Sequence, residues 1–370
     1  MQLFNSYYRT EEIIEKVREV LKSGWTAPGK YCREFETKWN EFIGCLYSHY
    51  VNSCTGALHI ALRLCDLPEG SPVITTPLTF VSTNAVILYE KLRPVFADVD
   101  PDYLSLSPKS VLAKAIQYRY NSMAAVLWVH YGGAVHPEFL KTAEKLKSWG
   151  IRVIEDCAHA AGSFYSDGSR VGSKNISCFS YHAVKNMPSF DGGAITLYNE
   201  KDYKRAKKLA WMGIDKDTYE RTNSAINEIY KWKYDVPELG WKYNGNEISA
   251  IMALVALKYL DKDNAYRRQI YQWYKKHDLD LALHSSNSAH HLAVAKVNNR
   301  DQVISTLKAN NIAPGVHYTP NFEFEPFKKY YGGGCKNVEN LADKIISLPN
   351  HLNLTKSDVD KVATIIKEIK

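Results

Sequence analysis

Between Ser53 and Leu197 the chain alternates short β-branched runs with segments of helical length, and this limits the possible folds more than any other feature. The pattern predicts strands at Pro72–Thr76, Pro94–Ala97, Ala124–His130, Arg152–Glu155, Ser177–Tyr181 and Ala194–Leu197. Thr55–Leu64, Ser82–Glu90, Ser107–Gln117 and His136–Trp149 lie between them with amphipathic spacing. Strands that pair in parallel need a crossover connection, usually a helix, so the pattern predicts an α/β fold. Its mostly parallel central sheet is sandwiched by helices. Sheets of this kind take ligands at the carboxyl ends of their strands, which directs attention to the residues just after each strand.

Beyond Asn199 the character changes. Lys201–Met212 reads as a helix, and Asp215–Leu239 as a polar, aromatic-rich excursion, too long for an ordinary loop and so functional or in contact with a partner. Glu247–Leu260 is a strongly apolar helix, followed from about Asn264 by a basic one. A strand-like run at His290–Val297 and helices at Arg300–Asn310 and Lys356–Ile369 complete a smaller α+β unit. Two domains are expected, a large one over 1–245 and a smaller one over 246–370. A length of 370 residues suits two joined units, because single cores stop growing near this size.

With 45% hydrophobic and 24% charged residues, the composition excludes a disordered, fibrous or disulfide-stapled chain. No apolar run reaches the roughly 20 residues a membrane helix needs, and the polar, acidic N-terminus does not read as a secretory signal. A cytoplasmic protein without membrane contact is expected. The 47 basic residues are offset by 40 acidic ones and scattered, leaving a net charge of +7 that matches no nucleic-acid-binding arm. It suits solubility or a site that welcomes anionic substrates. The seven cysteines form no C-x-x-C pair and read as reduced, buried thiols. Cys157 with His159, and Cys178 with His182, lack further ligands at zinc-site spacing, so no metal is expected.

Three segments carry chemistry. In V-N-S-C-T-G-A-L (51–58) hydroxyls and a glycine open a helix; they either cap it or offer its N–H groups to a phosphate. In R-V-I-E-D-C-A-H (152–159) a buried strand delivers Asp156 to the sheet edge. There it either caps a turn or grips a ribose, a metal or a protonated ring nitrogen. In S-C-F-S-Y-H-A-V-K-N (177–186) Lys185 follows a buried strand; it either snorkels to the surface or, desolvated, becomes a nucleophilic amine. Together, in this order on successive strand ends, an anion cradle, a carboxylate and a buried lysine suit pyridoxal phosphate.

The chain resembles the DegT/DnrJ/StrS family of fold-type I aminotransferases, which aminate nucleotide-linked keto-sugars. The resemblance runs from L-K-S-G-W-T-A-P-G-K-Y-C-R-E-F-E (21–36) through S-C-T-G-A-L-H-I-A-L, V-I-T-T-P-L-T-F-V-S-T-N-A and P-V-F-A-D-V-D-P. It continues through V-H-Y-G-G, E-D-C-A-H-A-A-G-S, F-S-Y-H-A-V-K-N, K-Y-N (242–244), G-V-H-Y-T-P (315–320) and I-S-L-P-N-H (346–351). It implies pyridoxal 5'-phosphate, with pyridoxamine 5'-phosphate as its intermediate form. It further implies that Lys185 forms the Schiff base and shuttles a proton, and that Asp156 pairs with the pyridine nitrogen. Thr55, Gly56 and Ser180 would hold the phosphate, Phe80 would stack on the ring, and His159 would pack on or hydrogen-bond to the other side.

Asn244 would reach the phosphate of a partner subunit, making a homodimer with shared sites, and Thr26, His317 and Tyr318 would meet substrate. The implied reaction moves an amino group from an amino acid, glutamate foremost, to a nucleotide-linked 4-keto- or 3-keto-6-deoxy sugar bound for a surface polysaccharide or another amino-sugar product. The alternatives are a cyclitol or unactivated keto-sugar acceptor, or a non-catalytic regulator. A branch of the family that dehydrates sugars carries histidine in place of the lysine, and Lys185 separates this chain from it. Phe190 and Gly245-Asn246 depart from the family pattern and are expected to reshape the substrate mouth.

Overall fold

In the computed structural model, residues 1–119, 124–216 and 233–369 are described. Seven strands form one sheet: β1 (Tyr47–Val51), β2 (Pro72–Thr75), β3 (Arg93–Phe96), β4 (Ala125–Val129), β5 (Arg152–Asp156), β6 (Ile176–Ser180) and β7 (Gly193–Leu197). Their spatial order is β1-β7-β6-β5-β4-β2-β3. The β3-β2-β4-β5-β6 block is parallel, and β7 runs antiparallel to both β6 and β1. The mostly parallel sheet is therefore present, with strand limits within two residues of the expected ones. Strand β1, Y-S-H-Y-V, adds to the six strands expected from the alternation, because it lies before Ser53, where that pattern begins, and Ser48 and His49 interrupt its apolar residues.

Alternation along the strands sends side chains to opposite faces. On one face Ala125, Leu127, Ile154 and Ile195 pack under α3 (Cys54–Arg63), α4 (Val81–Tyr89) and α7 (Glu200–Ala210). On the other, Val126, Trp128, Val153 and Ala194 meet α2 (Lys30–Ile43) and α6 (Phe139–Ser148), with α5 (Pro108–Ala115) on the same side and α1 (Thr10–Ser23) packed on the rim. In register, Val129 lies opposite Asp156, and Asp156 opposite Cys178. Three neighbouring strands thus end at one level.

The second half differs from the sequence reading. The apolar and basic helices expected around Leu260 and Asn264 are one 29-residue helix, α8 (Glu247–Lys275). Asp261–Asn264 is polar, but no glycine or proline breaks the helix there. The expected division after Gly245 falls at the start of α8, whose first half joins the large core through Ala250–Leu260. Its second half, with Ile270, Tyr271 and Tyr274, joins a separate cluster. That cluster holds β8 (Ala293–Lys296), paired antiparallel with β9 (Ile345–Leu348), together with α9 (Arg300–Ala309) and α12 (Lys356–Glu368). The short helices α10 (Glu325–Lys328) and α11 (Lys336–Leu341) lie between them in the chain. The strand expected over His290–Val297 shortens to β8. Most of the Asp215–Leu239 excursion lies outside the described residues. No described helix is long and apolar enough to cross a membrane.

Candidate active site

A cavity of about 330 Å³ opens at the carboxyl ends of β4, β5 and β6. Eight of the residues singled out from sequence line it: Thr55, Phe80, Asp156, His159, Ser180, Lys185, His317 and Tyr318. Asp156 closes β5 with its side chain on the α3 face. Its Oδ1 accepts the Ala158 N–H at 3.1 Å, and its Oδ2 accepts the Thr83 hydroxyl at 2.7 Å. Since Thr83 donates its proton there, Thr79 must donate to Thr83 across 2.9 Å. Thr79, in the loop just before α4, and Thr83, in its first turn, form a hydroxyl chain that fixes the carboxylate. Burial raises the Asp156 pKa against these hydrogen bonds and the nearby positive charge of Lys185.

Lys185 sits half-buried in the turn after β6, where its N–H donates to His182 O at 2.8 Å. Burial lowers its ammonium pKa to about 8, with Asp156 pulling the other way. The next residue anchors the turn: Asn186 Nδ2 donates to Asn264 Oδ1 and to Ala289 O, both at 2.7 Å. Asn186 Oδ1 then accepts the Nδ1 proton of His291 at 2.8 Å. Ser180, the last residue of β6, is buried at the same edge.

Helix α3 starts against this edge. Ser53 caps it, its Oγ accepting the Gly56 N–H at 3.1 Å. The N–H groups of Cys54 and Thr55 have no acceptor within the helix, and both residues line the cavity with the positive end of the helix dipole. Here the sequence expectation for Gly56 is corrected. Its N–H is taken by the cap, it does not line the cavity, and a Cβ there would stand 3.0 Å from the Tyr243 ring. Gly56 is glycine for packing.

The opposite wall comes from distant segments. His159 accepts the Gly132 N–H at Nδ1 (3.1 Å), so its proton lies on Nε2 and is donated to Tyr318 Oη at 3.0 Å. Both nitrogens are engaged by protein groups, which leaves the ring face open toward the cavity. Burial, with Lys185 adding, pushes His159 and His291 well below the usual histidine range, His159 also counting among the causes for His291, and draws His317 down to about 4. His317 Nδ1 pairs with Ser347 Oγ at 2.8 Å, and Tyr131 donates to its carbonyl. Phe80, 56% exposed, and Tyr318 lie with ring centroids 6.1 Å apart. Sequence reasoning missed Phe4, Thr83 and His291. A hydroxyl at Thr83 in the first turn of an apolar helix would have signalled Thr83, whereas nothing local marks Phe4.

Thr26 and Asn244 do not line this cavity. Thr26 is exposed, and its carbonyl accepts the Glu247 N–H at 3.1 Å, which places it beside the start of α8, where the chain has just passed Asn244. Asn244 Nδ2 donates to Gly245 O at 3.1 Å, while its Oδ1 is buried with no partner. The expected reshaping of the mouth by Gly245-Asn246 is also corrected. A Cβ at Gly245 would run into the buried Tyr50 ring, and Asn246 caps α8 by accepting the Ser249 N–H at 2.9 Å. Phe190 is 77% exposed.

Beneath the site, His130, Glu155 and Cys157 bring potential metal ligands within 4.8 Å of one another. Glu155 already accepts from His130 Nε2, Tyr165 Oη and Asn175 Nδ2 at 2.6–2.9 Å, so its carboxylate oxygens are occupied. Burial raises the Cys157 thiol well above its ordinary value, the opposite of what a nucleophile needs. All seven cysteines are free and buried.

The residues present fit pyridoxal phosphate. A depressed lysine, a buried carboxylate and free N–H groups at a helix start share one cavity. The family profile for DegT/DnrJ/EryC1/StrS aminotransferases matches residues 8–367. The uncharacterised protein MJ1066 of Methanocaldococcus jannaschii is 32% identical over 380 residues, covering 97% of this chain and 95% of its own. The sugar aminotransferase CalS13 of Micromonospora echinospora superposes with TM-score 0.86 at 26% identity, over 99% of both chains. Helicobacter pylori PseC, an aminotransferase involved in the biosynthesis of pseudoaminic acid, gives 0.87 at 25% identity over 99% of this chain and 98% of its own. Matched along nearly its whole length, the chain belongs to the DegT/DnrJ/EryC1/StrS aminotransferase family, fold-type I enzymes that use pyridoxal 5'-phosphate.

Proposed function

We propose that this protein moves the amino group of an amino acid, glutamate, to the carbonyl carbon of a nucleotide-linked keto-deoxy sugar, in amino-sugar or surface-polysaccharide biosynthesis. The observation that carries the reading is Lys185, with its pKa near 8, sharing one cavity with Asp156. CalS13 and PseC support a sugar acceptor by their names. The cofactor, when bound, supplies an electron sink for the carbon that loses a proton.

The protein's residues do the rest. Lys185 covalently holds the cofactor and, once released, its neutral amine takes the proton from one carbon and returns it to another. A pKa close to working pH suits both directions. Asp156, fixed by Thr83 and the Ala158 N–H, keeps the ring nitrogen protonated. The Thr55 N–H and hydroxyl, the Cys54 N–H and Ser180 hold the phosphate. Phe80 and the face of His159 enclose the ring, and His317 and Tyr318 bound the substrate space. Asn244, with its unpartnered buried Oδ1, and Thr26 serve the cavity of a second copy, which makes the working unit a homodimer.

The test is an absorbance spectrum of the protein with pyridoxal phosphate and then glutamate. A visible band bleached by glutamate with release of 2-oxoglutarate is expected, and a band indifferent to every amino acid would reject transamination. Acceptors then separate the nucleotide-linked sugar from its alternatives, since turnover only with a cyclitol or free keto-sugar would replace this reading. Mixing inactive Lys185→Ala and Asn244→Ala chains tests the shared site. Hybrid dimers keep one intact site, so about a quarter of wild-type activity should return; no recovery would exclude sharing.

A further inference from the structure

Arg267, in the second half of α8, is 7% exposed, and its Nη1 is buried without a partner. Among the described residues nothing forms a hydrogen bond or ion pair with it. The obvious counterion stands one turn earlier at Asp263, but both oxygens of that carboxylate are taken at 2.7 Å by Arg9, from the N-terminal segment. Two guanidiniums therefore share one carboxylate, and Lys185 adds a third basic group nearby. An unpaired buried charge costs several kcal/mol, so an arrangement of this kind calls for an anion.

There is a place for one. A small cavity with room for about one oxygen-sized group is lined by Arg267, Ser6, Tyr7, Lys185, Asn186 and His351. It shares Phe4, Val184, Lys185 and His291 with the main cavity, so a ligand lying against Lys185 can reach into it. Two further buried atoms around it are unpartnered, His351 Nδ1 and Asn350 Oδ1. Both are acceptors, since His351 Nε2 donates to Gln2 O at 3.1 Å and Asn350 Nδ2 to His290 O at 2.6 Å, so they suit a water beside the anion and not the anion itself. Residues 4–7 line one side of it, in a segment tied down by Ser6 to Ala183 O, by Arg9 to Asp263, and by Asn350 N–H to Leu3 O. His291 and His351 are both held below the usual histidine range, chiefly by burial, and Arg267 adds to the effect on each.

We infer that Arg267 is the anion-binding residue of the amino-donor step, taking one carboxylate of a dicarboxylic amino acid while the reacting end lies at Lys185. This rests on the aminotransferase reading above. Burial draws the Arg267 guanidinium down to about 10, only partly opposed by Asp263, which agrees with a charge that lacks its partner. A water would fill the space but leave the charge unneutralised.

The experiment uses the cofactor-loaded protein and glutarate, a dicarboxylate that cannot react, with binding followed by calorimetry and by the melting temperature. Wild type should bind glutarate and melt higher in its presence. Arg267→Met should bind about tenfold to a hundredfold more weakly, the loss of a charged hydrogen bond, and Arg267→Lys should recover part of that. Without ligand, Arg267→Met should melt no lower than wild type, because it removes an uncompensated charge. Three results would overturn the inference: equal glutarate affinity in wild type and Arg267→Met, a clear fall in the melting temperature of the ligand-free variant, or a wild type that takes only water or chloride. Glutamate is then tried separately. Arg267-dependent glutarate binding with no response to any amino acid keeps the anion site and sinks transamination, whereas unchanged glutamate conversion by Arg267→Met does the reverse.

Discussion

The two walls of the cavity are built by different physics. The sheet wall draws Asp156, Ser180 and Lys185 from adjacent strand ends, with Thr55 from a helix that starts at the same edge. Their positions follow from the topology of a parallel sheet, and they carry the site's ionisable groups. The facing wall joins Phe4, His291, His317 and Tyr318, parts of the chain up to about 300 residues apart, through side-chain contacts and isolated main-chain hydrogen bonds such as His291 N–H to Gly132 O, and not through a shared sheet. Asn321 helps to pin it, accepting from Asn84 Nδ2 at 2.8 Å and donating to Thr79 O at 2.9 Å. Its histidines are held neutral by burial. One wall supplies charge and proton transfer; the other supplies shape and excludes water.

If that division holds, the largest losses come from the sheet wall. Lys185→Ala should reduce transamination by about 10⁴-fold or more, removing both the covalent anchor and the proton carrier, with the fold unchanged by circular dichroism. Asp156→Asn should come next, at about 10²–10³-fold in kcat, because the amide keeps the place beside Thr83 but loses the charge. Near-normal turnover in either would remove the sheet wall's special status. On the facing wall, Tyr318→Phe leaves the His159 Nε2 proton without its acceptor. That should cost only about tenfold, mostly in KM. A loss equal to that of Asp156→Asn would make the facing wall chemical too.

The same contrast explains what the sequence made legible. Asp156 and Lys185 were readable because a strand's end, and hence the sheet edge, can be located from a few residues of local pattern; Ser180 came from the family resemblance. His317 and Tyr318 were reachable only through family resemblance, and Phe4 not at all, since contacts across hundreds of residues leave no local periodicity. Gly56 was misassigned for a related reason. The helix start was legible, but the Tyr243 ring packed against it comes from almost 190 residues later. The continuity of α8 was hidden by the polar run Asp261–Asn264, where the helix passes from one core to another. There Asp263 and Asn264 serve tertiary contacts with Arg9, Ala161 and Asn186.

The smallest effect probes the coupling within the sheet wall. Burial disfavours the charged ammonium of Lys185, and the carboxylate of Asp156 partly restores it, giving a pKa of about 8. The neutral, reactive amine therefore accumulates as pH rises through 8 in the cofactor-free protein. Acetylation of Lys185 by acetic anhydride, followed by peptide mass spectrometry, should speed up across that range and level off above it. In Asp156→Asn the restoring charge is gone while burial stays, so the midpoint should move below that of wild type. A midpoint that did not move would mean Asp156 is still protonated there in the empty site, the direction in which burial pushes its own pKa. In wild type that alternative carries its own signature, a second inflection on the alkaline side of the midpoint, where Asp156 gives up its proton and Lys185 becomes harder to acetylate.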